Sequence, residues 1–273
     1  MSRSAVIMAA PNGARKNKTH HLNLPVSIAE TVEEAKRCYQ EGATVLHAHV
    51  RDKNADHVLD PGLYRELFDE MALQVPEMLL QMTTEAVGKY SPEQQAQCVF
   101  SLKPKMISIS VREMAGEGKD QMHATKFYSW NNENNVHMQH IVYDENDLER
   151  LLLLQHQGVI PAGKLCVLFV LGRFIENREA TPDDIDPFIK VAGDTPMDWF
   201  VCAFGSHEHA CALSAVTRGG HARVGFENNL LLKDGSQAMH TADLVRTLKQ
   251  DAAAAGIKIA NAAEARELLG ITL

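Results

Sequence analysis

Cysteine is scarce in this chain and never closely paired. Cys38, Cys98, Cys166, Cys202 and Cys211 are an odd number, and no C-x-x-C occurs. That usage excludes a disulfide framework and points to a reduced, cytoplasmic protein. A basic stripe is also missing. The 27 Lys and Arg residues are scattered through a chain of net charge −8, which argues against a nucleic-acid partner. No apolar run approaches the roughly 20 residues of a membrane span, so no membrane partner is expected. The apolar run within "MSRSAVIMAAPNGARKN" is about seven residues, too short for the core of a signal peptide. There is no internal repeat, no low-complexity linker and no phosphate-binding glycine loop.

The 273 residues, 45% of them apolar, can build a large core. Eight β-rich runs recur at intervals of about 30 residues, the length of a βα unit. They are 4–11, 44–51, 77–84, 106–112, 137–144, 165–172, 199–205 and 222–228. Helix signals lie between them. Ser27 and Glu30 form a capping box. Asp60-Pro61, Ser91-Pro92 and Thr181-Pro182 place proline just after a capping side chain. Gly42 suits a left-handed helix end, and "TADLVRTLKQDAAAAG" and "NAAEARELLG" read as two closing helices. The pattern predicts an α/β fold, a (β/α)8 TIM barrel occupying 1–273 as one domain with C-terminal helices. The rival, a doubly wound open sheet, usually opens on a glycine-rich phosphate turn, and "PNGARKN" is not one.

The second run contains "LHAHVRD". Side chains alternate along a strand, so Leu46, Ala48 and Val50 face the helices while Val45, His47, His49 and Arg51 face inward. Both histidines fall near the carboxyl end of the strand, where barrel active sites lie. Two imidazoles at that spacing can chelate one cation, although each can also be a core group bonded to a backbone carbonyl. A third ligand has to come from another strand. In "GGHARVGFENN" (219–229), Arg223, Gly225 and Glu227 share one face, with Glu227 at the carboxyl end of the last strand. Two histidines and a carboxylate suit a divalent transition metal, zinc in the usual case, with a coordination position left open. The competing reading pairs Glu227 with Arg223 or Arg51 as a buried ion pair. His207 and His209 of "GSHEHAC" are expected at a helix start rather than on a metal, and His20-His21 in a loop.

With these motifs the chain resembles the β-keto acid cleavage enzymes, the family typified by 3-keto-5-aminohexanoate cleavage enzyme. The resemblance runs through "NLPVSIAETVEEAKRCYQEGATVLHAHVRD", "VLFVLG", "GGHARVGFENN" and "AAEARELLGI", nearly the whole chain. It implies a (β/α)8 barrel, a homotetramer, and zinc held by His47, His49 and Glu227. It implies condensation of a small-molecule β-keto acid with acetyl-CoA, through an enolate on zinc and a retro-Claisen cleavage. Acetoacetate and a new acyl-CoA are the products. Arg223 would hold a carboxylate or a developing oxyanion.

Several positions depart from the family pattern. Asn228 stands where the family commonly has an aspartate and cannot act as a base. Arg15 replaces the acid that reads an ammonium group, so the expected substrate tail is anionic or polar rather than amino. Thr83 keeps a hydroxyl for substrate, Glu85 replaces a small glycine, and Gln139 stands where a glutamate is common. Ser108 and Ser110 are further candidate substrate contacts. Two alternatives follow from the departures: a zinc hydrolase on the same barrel, and a metal-bearing binding protein that has lost catalysis.

Overall fold

The computed structural model describes residues 4–174 and 178–271. Its strands are β1 (Ser4–Ala5), β2 (Ile7–Ala9), β3 (Val45–Ala48), β4 (Leu79–Thr83), β5 (Met106–Ser110), β6 (His137–Val142), β7 (Leu165–Leu171), β8 (Met197–Ala203), β9 (His221–Val224) and β10 (Lys258–Ile259). The helices are α1 (Ile28–Glu41), α2 (Pro61–Gln74), α3 (Pro92–Leu102), α4 (Val111–Ala115), α5 (Gln121–Glu133), α6 (Glu145–His156), α7 (Asp186–Ala192), α8 (Glu208–Thr217), α9 (Thr241–Ala254) and α10 (Ala262–Leu269). Strands β2 to β9 close into a barrel in chain order, every neighbouring pair parallel, and β2 meets β9 in the register Met8 to Arg223.

The helix signals act where the sequence places them. Ser27 and Glu30 exchange bonds at the start of α1, and Gly42 ends it at φ 113°, a left-handed conformation that costs glycine little. Asp60 and Ser91 cap α2 and α3 with proline at the first turn. Thr181-Pro182 opens a short 3-10 turn, Pro182–Ile185, that leads into α7.

Strand alternation divides the apolar residues into two cores. Val6, Met8, Val45, Leu79, Met106, Leu168 and Phe200 belong to a cluster inside the barrel. Ile7, Ala9, Leu46, Ala48 and Val50 belong to the layer shared with the helices. The inward parity expected for Val45 and His47 therefore holds.

Several boundaries differ from expectation, and three of them have a clear local reason. The run 4–11 is two strands. Ser4 and Ala5 pair with Lys258 and Ile259 in a separate small sheet, and the chain then shifts to the barrel at Ile7. Strand β3 stops at Ala48, because the Asn12 side chain takes the place of a neighbouring strand at His49. The His49 N–H donates to Asn12 Oδ1 at 3.2 Å and Asn12 Nδ2 donates to the His49 carbonyl at 2.8 Å. Strand β9 ends at Val224, so Glu227 is not on the strand. It lies in a turn where Asn228 and Asn229 N–H groups bond back to the Gly225 carbonyl.

Candidate active site

His47 leaves β3 into the barrel and His49 follows just beyond the strand, both almost fully buried. Their Nε2 atoms lie 3.2 Å apart, and Glu227 Oε2 is 3.4 Å from His47 Nε2 and 3.6 Å from His49 Nε2. One ligand atom from each of the three falls within 4.8 Å of the others.

The surrounding hydrogen bonds assign the ring tautomers. His47 Nδ1 is 2.7 Å from Gln81 Oε1, an acceptor, so the proton sits on Nδ1. His57 Nε2 donates to the Glu85 carbonyl at 3.0 Å, which makes its Nδ1 an acceptor. His49 Nδ1 lies 3.3 Å from that atom and must carry the proton. Both Nε2 lone pairs then face each other and Glu227 Oε2, itself a buried oxygen with no partner. Three unshared pairs aimed at one point repel unless a cation lies between them, so the residues fit a divalent metal.

Burial keeps the rings neutral. It lowers the pKa of His47 to about 4 and holds His49 well below the usual imidazole range, with the charges of His57 and His47 adding to the effect. For Glu227 burial pushes the pKa up, but Arg223, His47 and Lys16 outweigh it and the carboxyl stays below its usual value.

Glu227 is held from several sides. Arg223 Nη2 donates to Glu227 Oε1 at 3.0 Å and to Asn228 Oδ1 at 3.0 Å. The Arg223 pairing weighed as a rival to ligation thus uses Oε1 and leaves Oε2 for the cation. Lys16 Nζ donates to the Phe226 and Glu227 carbonyls at 3.0 and 2.7 Å. Gly13, at φ +61°, passes so close that a Cβ there would lie 2.5 Å from Glu227 Cγ. Arg51 is not a partner of Glu227. Its Nη2 bonds the carbonyls of Asn12, Gly13 and Lys16 and pins the loop that carries Gly13.

A cavity of about 330 Å³ opens above this centre. Among the described residues, Arg15, Lys16, Arg173 and Arg223 line it against two carboxylates, Glu85 and Glu227, so this lining is electropositive in an acidic chain. Arg15 is half-exposed and 3.5 Å from Glu85. Burial, with the charge of Glu227 next, raises Glu85 to about 7. Arg173 lies over the Phe204 ring and has no carboxylate partner among the described residues. Thr83 is in the wall, its Oγ1 accepting from the Glu85 N–H at 3.1 Å. Ser108 and Ser110 are buried with unpartnered hydroxyls and lie outside the cavity wall. His207 and His209 sit at the start of α8, bonded to the Ala180 carbonyl and to Asp251, and His21 packs on Phe226.

Sequence reading passed over Gln81, His57, Asn12, Lys16, Arg173 and Glu208. Gln81 had a usable signal. It is a polar residue at an inward position of an apolar run, the same feature that singled out His47. His57 gave none, because only the loop after β3 returns it to the site.

Fold and site define a (β/α)8 barrel with two histidines and a carboxylate that could hold a cation gathered at the carboxyl ends of its strands. The β-keto acid cleavage enzyme family matches residues 4–271, and the chain belongs to that family. It is 30% identical over 274 residues to the 3-keto-5-aminohexanoate cleavage enzyme of Acetoanaerobium sticklandii, spanning 98% of each chain. It is 23% identical over 280 residues to the 3-oxoadipate:acetyl-CoA acetyltransferase of Cupriavidus necator, spanning 99% of this chain and 96% of the relative. The structure of ObcA in ternary complex with a C4-CoA adduct and oxalate shares the fold. Its TM-score is 0.76 at 15% identity, over 91% of this chain and 67% of that one.

Proposed function

We propose that this chain is a zinc-dependent acyltransferase of its family, converting a β-keto acid and acetyl-CoA into acetoacetate and the acyl-CoA of the remaining fragment. One observation carries the reading. Three lone-pair donors, His47 Nε2, His49 Nε2 and Glu227 Oε2, converge at the floor of an electropositive cavity. A cation bound there supplies Lewis acidity toward the keto and carboxylate oxygens of such a substrate.

The chain's own residues do the rest. Gln81 and His57 hold the two rings in the tautomers that present Nε2. Arg223 borders the cavity and its buried Nε has no partner among the described residues, so the guanidinium keeps donor capacity that suits a substrate carboxylate or a developing oxyanion. Thr83 accepts through its oxygen and keeps its proton to donate to substrate. Asn228 is an amide and cannot take the α proton. Among the described residues Glu85 is the cavity carboxylate outside the ligand set, so we assign it that task. Ser108 and Ser110, behind the wall, would reach substrate only through a side-chain rearrangement. Arg15 and Arg173 favour an anionic or polar tail over an amino one. The same family reading makes the enzyme a cytoplasmic homotetramer, which light scattering tests.

The deciding experiment is incubation of zinc-loaded protein with acetyl-CoA and β-keto acids bearing anionic, neutral and cationic tails. Mass spectrometry should find acetoacetate with the matching acyl-CoA, most rapidly for the anionic tail. No acetoacetate from any member of the panel refutes the proposal.

A further inference from the structure

Glu208 opens α8 and is fully buried. Its carboxylate receives three N–H donors: Gly225 N at 2.9 Å and Asn228 Nδ2 at 3.1 Å on Oε1, and Asn229 Nδ2 at 3.4 Å on Oε2. Donors on both oxygens favour the ionised carboxylate. Burial pushes its pKa up to about 7, while those donors and Lys16 oppose the rise.

The second half of the arrangement is the amide of Asn228. Its Nδ2 faces Glu208 Oε1 and the Arg223 carbonyl, and its Oδ1 accepts from Arg223 Nη2 at 3.0 Å. Flipping the amide would set Oδ1 against the Glu208 carboxylate and an N–H against the guanidinium. Only one orientation satisfies all three partners. The contacts therefore run Glu208 to Asn228 to Arg223 to Glu227 and end at the cation centre.

We infer that Glu208 is a positioning residue of the active site, which orients Asn228 toward Arg223 and carries the negative charge that an acid at position 228 would otherwise bring. Glu208, Asn228, Arg223 and Glu227 hold two carboxylates and one guanidinium. A second acid at 228 would place two buried carboxylates in contact. A neutral group at 208 would remove the charge behind the guanidinium. Exchanging the two, Glu208→Gln with Asn228→Asp, keeps the charge count and reverses the hydrogen bond between them, while giving up the bond to the Arg223 carbonyl and crowding the Gly225 N–H. Glu208 touches neither the cavity nor the cation centre, so it acts through Asn228.

The test compares Glu208→Gln, Asn228→Asp and the double variant as full chains. Zinc-free unfolding midpoints and zinc affinity by chelator competition are measured, neither of which needs a substrate. Turnover with the β-keto acid panel is a third readout that rests on the function proposed above, so failure there leaves the first two intact. Each single variant should lower the midpoint by several degrees and weaken zinc about tenfold, the scale of lost support behind a metal ligand. The double variant should restore zinc affinity to within threefold of the parent and recover part of the lost midpoint. Losses that simply add in the double variant overturn the inference. So does a midpoint that recovers without zinc affinity, which would make the pair structural only. Parent-like behaviour of Glu208→Gln also overturns it.

Discussion

Gln81 sets the tautomer in which His47 would present Nε2 to a cation. Its Oε1 accepts from His47 Nδ1 at 2.7 Å and its Nε2 donates to Gln139 Oε1 at 3.1 Å, in a part of the barrel closed to water. Leucine at this position leaves His47 Nδ1 without an acceptor. The ring can then take the other neutral tautomer and direct Nε2–H at Glu227 Oε2, only 3.4 Å away, where it meets an oxygen that otherwise has no partner. That rearrangement stabilises the metal-free site and blocks the cation. Loss of a group behind a metal-binding histidine weakens affinity about 10- to 100-fold, or about 1.4 to 2.7 kcal/mol. Leaving the Gln139 acceptor buried and unpaired costs folding about 1 to 3 kcal/mol more. Gln81→Glu should behave differently. A carboxylate still accepts from Nδ1, and Gln139 can turn its amide to donate. Zinc competition with a chromophoric chelator should therefore rank the parent and Gln81→Glu together and Gln81→Leu at least tenfold weaker. If Gln81→Leu binds within twofold of the parent, the tautomer argument fails.

Three further outcomes follow from the same geometry. Gly13→Ala puts an L-residue at φ +61° and a methyl group 2.5 Å from Glu227 Cγ. Left-handed backbone costs about 1–2 kcal/mol and crowding about 1–3 more, so thermal unfolding should come at least about 4 °C earlier and zinc should bind more weakly. An unchanged midpoint contradicts the close approach. Protons compete with zinc for the His47 lone pair only once the ring titrates, and burial has moved that from the ordinary value near 6.5 down to about 4. With zinc well above its dissociation constant, so that the weaker effect of protonating Glu208 does not limit loading, zinc content by elemental analysis should thus be equal at pH 7.5 and about pH 5.5 and fall only toward pH 4. Loss already at pH 5.5 would mean that the rings are solvated. Finally, Arg15→Glu sets a second carboxylate beside Glu85 and leaves the cavity with three cationic and three anionic side chains. The ratio of kcat/KM for anionic over cationic tails should drop about tenfold or more, and an unaltered ratio would place Arg15 outside substrate recognition.

Barrel class was legible because it depends on period and spacing. Inward parity at Val45 and His47, the capping box at Ser27 and the proline-led helix starts are local, and local energetics decided them. The strand ends were not legible. His49 was read as part of a strand, but its pairing partner is a side-chain amide from Asn12, about 37 residues away in the chain. Glu227 was read on the last strand, yet it stands in a turn closed by Gly225. The three side chains nevertheless meet, because each still points toward the barrel axis.

By itself the sequence determined which residues alternate inward, where helices begin, and that two imidazoles and a carboxylate are available as neutral and anionic donors. Those properties reside within a few consecutive residues. Only the tertiary structure decided the rest: which ring nitrogen carries each proton, which oxygen of Glu227 remains free, that Glu85 tempers Arg15, and that the charge behind Arg223 lies on Glu208. Each of those is a contact between segments distant in the chain, set by closure of the barrel, and a hydrogen bond of that kind has no period for a sequence to display.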